Sequence, residues 1–104
     1  MNLLEETKNS IPEGKEIAWA IIIAKVYERP TELFILKPNH TNEQKDIFFR
    51  CLDFEYDNGY GCQEVYGKIV FTDNSWIQRG EYDGSEWWTY LRCPQWDKEL
   101  IEIE

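Results

Sequence analysis

The sequence predicts an α+β fold that is mostly β: an antiparallel meander of about five to six strands, as a small sheet, sandwich or half-barrel, with a short N-terminal helix. Three observations carry this. Across residues 48–90 apolar and polar positions alternate in short runs, and each run ends in a cluster of Asp, Asn, Gly or Ser, the pattern of strands joined by tight turns. Residues 17–27 (IAWAIIIAKVY) are rich in β-branched side chains that suit a pleated sheet. Residues 2–10 read as a short N-terminal helix. A chain of 104 residues fits one domain, residues 1–104, and can bury a modest core without staples.

In residues 2–10, Leu3, Leu4 and Thr7 share one side of a helix while Glu5, Glu6 and Lys8 are solvated; so short a helix must dock on the sheet to persist. Pro12 and Gly14 stop it. Residues 17–27 are apolar on both parities, as in a strand covered on both faces. Ala18, Ala20 and Ala24 favour a helix there, but Ile21, Ile22 and Ile23 are stiff at χ1 and favour the strand. Residues 28–31, with Pro30, make a turn, and residues 33–36 return antiparallel to close a first hairpin. Residues 37–45 read as a polar loop holding His40. Residues 48–56 read as a strand with Phe48, Leu52, Phe54 and Tyr56 on one face. Its other face carries Cys51 and a row of carboxylates, Asp53, Glu55 and Asp57, at intervals of ~6.5–7 Å.

Residues 57–61 (DNGYG) form a turn, since Asn and Gly tolerate positive φ. The next strand points Val65, Gly67, Ile69 and Phe71 inward and Tyr66, Lys68 and Thr72 outward. A turn at Asp73 and Asn74 leads into residues 75–82, and a third turn at 83–85 leads into residues 86–92, where Trp87, Thr89 and Leu91 oppose Trp88 and Tyr90. Pro94 ends the pairing. Residues 95–104 read equally as a helical turn or as an edge strand.

Charge narrows the function. Twenty acidic against 11 basic residues give a formal charge of −9 and a pI near 4.6. Such a field repels nucleic acid and anionic membranes and attracts basic protein surfaces. The longest apolar run, eight residues at 17–24, is far short of the ~20 of a membrane helix, and no basic stretch precedes an apolar leader; the expectation is a cytoplasmic protein. Cys51, Cys62 and Cys93 follow no zinc or redox spacing and read as reduced, partly buried thiols. His40, without ligand-spaced neighbours, reads as a solvated loop imidazole.

No phosphate-binding loop, dinucleotide fingerprint, zinc-protease motif or nucleophile elbow is present, and a single histidine leaves Ser10, Ser75 and Ser85 without a triad. Cys62 has acidic neighbours, which disfavour a thiolate. Carboxylates beside tryptophans suit a glycosidase pair or a Mg²⁺ or Ca²⁺ site. With twenty acids in 104 residues, however, close pairs arise by chance, so the expectation is no catalytic residue, no metal and no cofactor. Binding accounts better for the aromatics, because Trp and Tyr dominate interface hot spots. The predicted partner-binding set is Asp53, Glu55, Asp57, Glu81, Asp83 and Glu86 with Trp76, Trp88 and Tyr90. Trp88 and Tyr90 share the parity of Glu86 and Arg92, a face open to a partner unless the N-terminal helix covers it. Alternatives are a module whose Trp76, Trp88 and Tyr90 stack on a sugar or nucleotide, and a phage structural or assembly component. A homodimer formed by strand addition at an edge strand is also open.

Three segments carry a resemblance: residues 53–61 (DFEYDNGYG), 64–76 (EVYGKIVFTDNSW) and 79–88 (RGEYDGSEWW). Together they cover about the central third of the chain, and they resemble small acidic, uncharacterised proteins encoded by bacteriophages and prophages. The resemblance implies a phage accessory protein acting in the cytoplasm of a bacterial host, and carries over no catalytic or binding residues. Small acidic phage proteins are similar as a class to inhibitors of host defence, of anti-CRISPR or anti-restriction type. The implied function is thus a non-catalytic inhibitor that offers an acidic, aromatic β surface to a basic nucleic-acid-binding site on a bacterial protein or ribonucleoprotein complex.

Overall fold

Seven elements follow one another along the chain: α1 (Leu3–Ser10), β1 (Ile17–Ala24), β2 (Glu32–Leu36), α2 (Asn42–Cys51), β3 (Val65–Phe71), β4 (Ser75–Tyr82) and β5 (Ser85–Arg92). The structure, a computed structural model, describes residues 1–26, 29–56, 63–82 and 85–92. The strands form one open antiparallel sheet in the order β2-β1-β3-β4-β5. The fold is therefore α+β, mostly β, as the alternation predicts, and the five strands lie in a single sheet. Asp57 and Asp83, Cys62 and Cys93, and the ambiguous residues 95–104 lie outside the described residues.

Both helices pack on one face of the sheet. There Ala20, Ile22 and Ala24 of β1, Phe34 and Leu36 of β2, Val65, Ile69 and Phe71 of β3, Ile77 of β4 and Trp88 of β5 form a single core with Leu3, Phe48, Leu52 and Tyr56. Each large apolar side chain fully withdrawn from water here contributes roughly 1.5–3 kcal/mol. α1 rests on β5 and α2 on β2, so the helices hold opposite ends of the same face. α1 starts on Asn2, whose Oδ1 accepts from the Glu5 amide at 3.0 Å.

The segment 48–56 is the main correction. Residues 48–51 are the last turn of α2, and residues 52–56 carry only an isolated bridge between Asn2 and Glu55. The helix begins in the stretch read as a loop. Thr41 accepts from the Gln44 amide at 3.1 Å, and the Gln44 side chain accepts from the Thr41 amide at 2.9 Å, a capping box that fixes the first turn. Phe48, Leu52 and Tyr56 are buried as predicted, but a spacing of four residues is one parity of a strand and nearly one turn of a helix. The burial pattern fits either period, and the cap decides.

Two smaller corrections follow. β1 is a central strand, flanked by β2 and β3, yet no described element covers its second face, where Ile21 remains exposed. Cys51 is an exposed free thiol rather than a partly buried one.

Gly67 sits where the backbones of β1 and β3 leave no room for a side chain. Its φ is +135°, and a Cβ there would collide with the Ile21 carbonyl oxygen and lie 2.8 Å from the Ile22 Cα. Neither obstacle is a flexible side chain. Gly67→Ala should therefore destabilise the fold by at least ~2 kcal/mol in urea denaturation. Gly14→Ala, also at positive φ but in open space, should cost only ~1 kcal/mol. Equal losses would show that conformational strain alone, without the clash, accounts for the effect.

Candidate functional surfaces

Beneath α1 lies a buried ionic cluster. Arg79 of β4 donates from Nη1 to Glu6 Oε1 at 3.0 Å, and from Nη2 to Glu86 Oε1 and the Tyr56 hydroxyl, both at 2.8 Å. The Tyr56 hydroxyl in turn donates to Glu6. Glu86 also accepts the backbone amides of Glu64 at 2.8 Å and Val65 at 3.0 Å, where β3 starts. The Arg79 guanidinium carbon is 4.9 Å from the Trp88 ring centroid and 5.6 Å from that of Tyr56. Trp88 finishes the cluster by donating its Nε1 to Thr7 Oγ1 on α1 at 2.9 Å.

Burial by itself pulls the Arg79 guanidinium down, but the Glu86 hydrogen bond and the charge of Glu6 outweigh it, and the group is held above its ordinary range. The Tyr56 hydroxyl is pushed well above the ordinary phenol value, chiefly by burial and then by its hydrogen bond to Glu6. The cluster is closed against the core, with the Arg79 and Glu86 side chains 1% and 0% exposed. What it does is lock three strands, a helix and the 52–56 segment together.

This placement divides the predicted site. Glu86 and Trp88 belong to the core, so they cannot form a partner surface on this fold; α1 covers them. Glu6, predicted to be solvated, joins them as an Arg79 partner. Asp53 and Glu55 are exposed but form no strand row. Asp53 accepts from the Asn2 side chain at 2.9 Å, and Glu55 pairs with the terminal ammonium of Met1 at 3.1 Å. Glu81 is exposed at the end of β4, opposite Glu86. Tyr90 shares the face of Trp88 but sits at its margin, where the Lys15 ammonium lies 5.7 Å from its ring centroid. Hydrogen bonding to Ser75, then to Lys15, holds the Tyr90 hydroxyl below its ordinary value. Trp76 points to the opposite face, so Trp76, Trp88 and Tyr90 cannot stack on one ligand.

The second face of the sheet carries the larger recognition potential. Cross-strand partners point the same way, so the register gives its rows directly. Leu33, Ile23 and Tyr66 form one row; Ile35, Ile21, Lys68, Gln78 and Thr89 a second; Trp19, Val70, Trp76 and Leu91 a third; Gly80 and Trp87 a fourth. Trp19 takes this face by alternation with Ile21 and Ile23, while the register shift between Ile17 and Trp19 pairs Ile17 with Phe71 on the core side. Lys68 is the only charged residue in these rows.

Two indoles on this face are fixed. Trp76 donates its Nε1 to Gln78 Oε1 at 3.0 Å, and Trp87 donates its Nε1 to Thr89 Oγ1 at 2.9 Å. Trp87 lies over Gly80, where a Cβ would come within 3.1 Å of its Nε1. The missing side chain at Gly80 is what lets that indole lie against the sheet. Sequence reasoning named Trp76 here but passed over Trp87, because the Glu86–Trp88 parity carried charge and the Trp87 parity did not.

Among the described residues, no group of three or more His, Cys, Asp or Glu is placed to hold a metal ion, and no helix is long and apolar enough to cross a membrane. No family model matches the chain, and neither a curated protein nor a solved structure is detectably similar to it.

Two outcomes test the buried cluster. Arg79→Met leaves the Glu86 carboxylate buried without its cation and should cost about 3–5 kcal/mol by chemical denaturation; Arg79→Met with Glu86→Gln should cost clearly less than the two single changes added together. Tyr56 has a folded-state pKa above its unfolded value, so its contribution is intact below pH ~10 and is lost as pH rises beyond that. Tyr56→Phe should therefore flatten the alkaline fall in stability while lowering stability at neutral pH. An unchanged alkaline limb would remove Tyr56 from that role.

Proposed function

We propose that this chain is a non-catalytic binding protein that docks a partner protein on the uncovered face of its sheet, the partner presenting an apolar patch ringed by basic residues. One observation carries the reading. A chain with twenty acidic residues places none of them in the four rows named above, nor in the further pair Tyr82 and Ser85 on that face, and Trp, Ile, Leu, Val and Tyr sit side by side there. Leu33, Ile35 and Trp87 are 59%, 49% and 42% exposed. Contiguous exposed apolar surface of this kind marks interaction sites.

Trp87 and Trp76 supply anchors whose orientation is set before any partner arrives, which lowers the ordering cost of association. The acids stand away from the face: Glu5, Glu13, Glu16, Glu43 and Asp46 are all exposed outside these rows. They would steer a basic partner without being desolvated by it.

The finer reading, an inhibitor of a bacterial defence system that occludes a basic nucleic-acid-binding surface, is supported by the resemblance to phage-encoded proteins and by the charge of −9. On this fold the apolar rows would hold the target, and the exposed acids elsewhere on the domain would speed the encounter. This replaces a linear carboxylate row with an apolar face and acids set apart from it.

Retention of host proteins on immobilised wild type, Trp87→Ala and Ile21→Lys, followed by titration with the purified retained protein, tests the reading. Trp87→Ala should weaken binding at least ~30-fold, about 2 kcal/mol, with circular dichroism unchanged. Association to wild type should slow as salt rises. Equal affinity of both variants and wild type would rule out this face as the docking surface.

A further inference from the structure

One outer edge of the sheet is β2, which lies beside α2. β2 pairs only with β1, so its other edge is free of any described strand. Edge strands are ordinarily guarded by lysines, prolines or bulges. Residues 33–36 (LFIL) contain none of these, and Leu33, Ile35 and, on neighbouring α2, Ile47 are all exposed. Between strand and helix runs a groove of about 430 Å³, lined on the helix side by Gln44, Ile47, Phe48 and Cys51.

Charge identifies the occupant. Residues 29–50 hold Arg29, Lys37, Lys45 and Arg50 against Glu32, Glu43 and Asp46, a balance of +1, so the remaining residues together carry −10 of the −9 total. Two copies meeting at this edge bring no net negative charge together, so the charge of the whole chain does not oppose their pairing there. We propose that a second copy of this chain adds its β2 to this edge, antiparallel and about a two-fold axis through Phe34. That register keeps each side chain on its own face of the sheet. It sets Leu33 against Ile35 of the partner subunit, and by symmetry Ile35 against Leu33 of the partner subunit. The most exposed apolar residues of the strand then cover one another, and the two sheets become one of ten strands. The inference rests on the edge and its local charge, not on what the uncovered face binds.

So short a pairing buries on the order of 1,000 Å² in total and should associate weakly, at ~1–100 µM. Sedimentation equilibrium from about 5 to 500 µM should show a shift from the 12.5 kDa monomer to twice that mass. Leu33→Lys with Ile35→Lys should abolish the shift, whereas Trp87→Lys should leave it intact. Hydrogen exchange on the wild type gives a readout independent of any variant: amides of residues 32–36 should gain protection as concentration rises while those of β5 do not. A monomer throughout the range, a dimer unmoved by the double substitution or dispersed by Trp87→Lys, or β2 protection that ignores concentration would overturn the proposal. None of these results depends on capture of a partner protein.

Discussion

The fold depends on one buried cation. Arg79 is surrounded by elements far apart in sequence, Glu6 on α1, Tyr56 after α2 and Glu86 on β5, and a guanidinium withdrawn from water is tolerable only when all of its partners are present. Glu86 extends the constraint to β3 by accepting the amides of Glu64 and Val65. Sliding β5 by a single residue along β4 would turn Glu86 to the opposite face and strand both charges. The ion pair thus acts on the register of the meander as much as on its stability, a role that apolar packing alone performs less selectively.

That choice of register also decides which tryptophan is available. Trp87 and Trp88 are neighbours on one strand, and a strand sends neighbours to opposite sides. Because Trp88 stacks on Arg79 and bonds to Thr7, Trp87 has only the uncovered face to occupy. Folding and recognition are therefore assigned to different sides of the same sheet. A substitution on the outer rows meets few helix contacts, whereas one on the inner rows meets the whole core.

Much of this was legible in the residues. Alternation across Val65, Ile69 and Phe71 gives β3 and its faces directly, and the first hairpin follows from two apolar runs around Pro30; the opposition of Trp87 to Trp88 gives β5, but with its two faces exchanged, since Trp88 is the core residue and Trp87 the outer one. α2 was missed because its strongest signal, Thr41 with Gln44 three residues on, stood inside a stretch that composition marks as loop, while Phe48, Leu52 and Tyr56 satisfy both periods. The predicted acidic row fell with that strand. Glu86 was counted as surface because glutamate usually is, and only its long-range partner Arg79 reverses the expectation. Local sequence patterns reveal which residues share a face; they do not reveal which charges will meet across seventy residues.

The docking of α1 carries a consequence for the order of events during synthesis. Thr7 closes on Trp88, 81 residues later in the chain, and an eight-residue helix has little persistence of its own. At ~5–20 residues per second, a ribosome leaves this helix unlatched for roughly 4–16 s. In the first part of that interval Leu3 lacks the 52–56 segment that its amide bonds to, and β1 lacks β3. The N-terminal helix is thus the first element made and among the last to be latched, because its bond to Trp88 waits for β5.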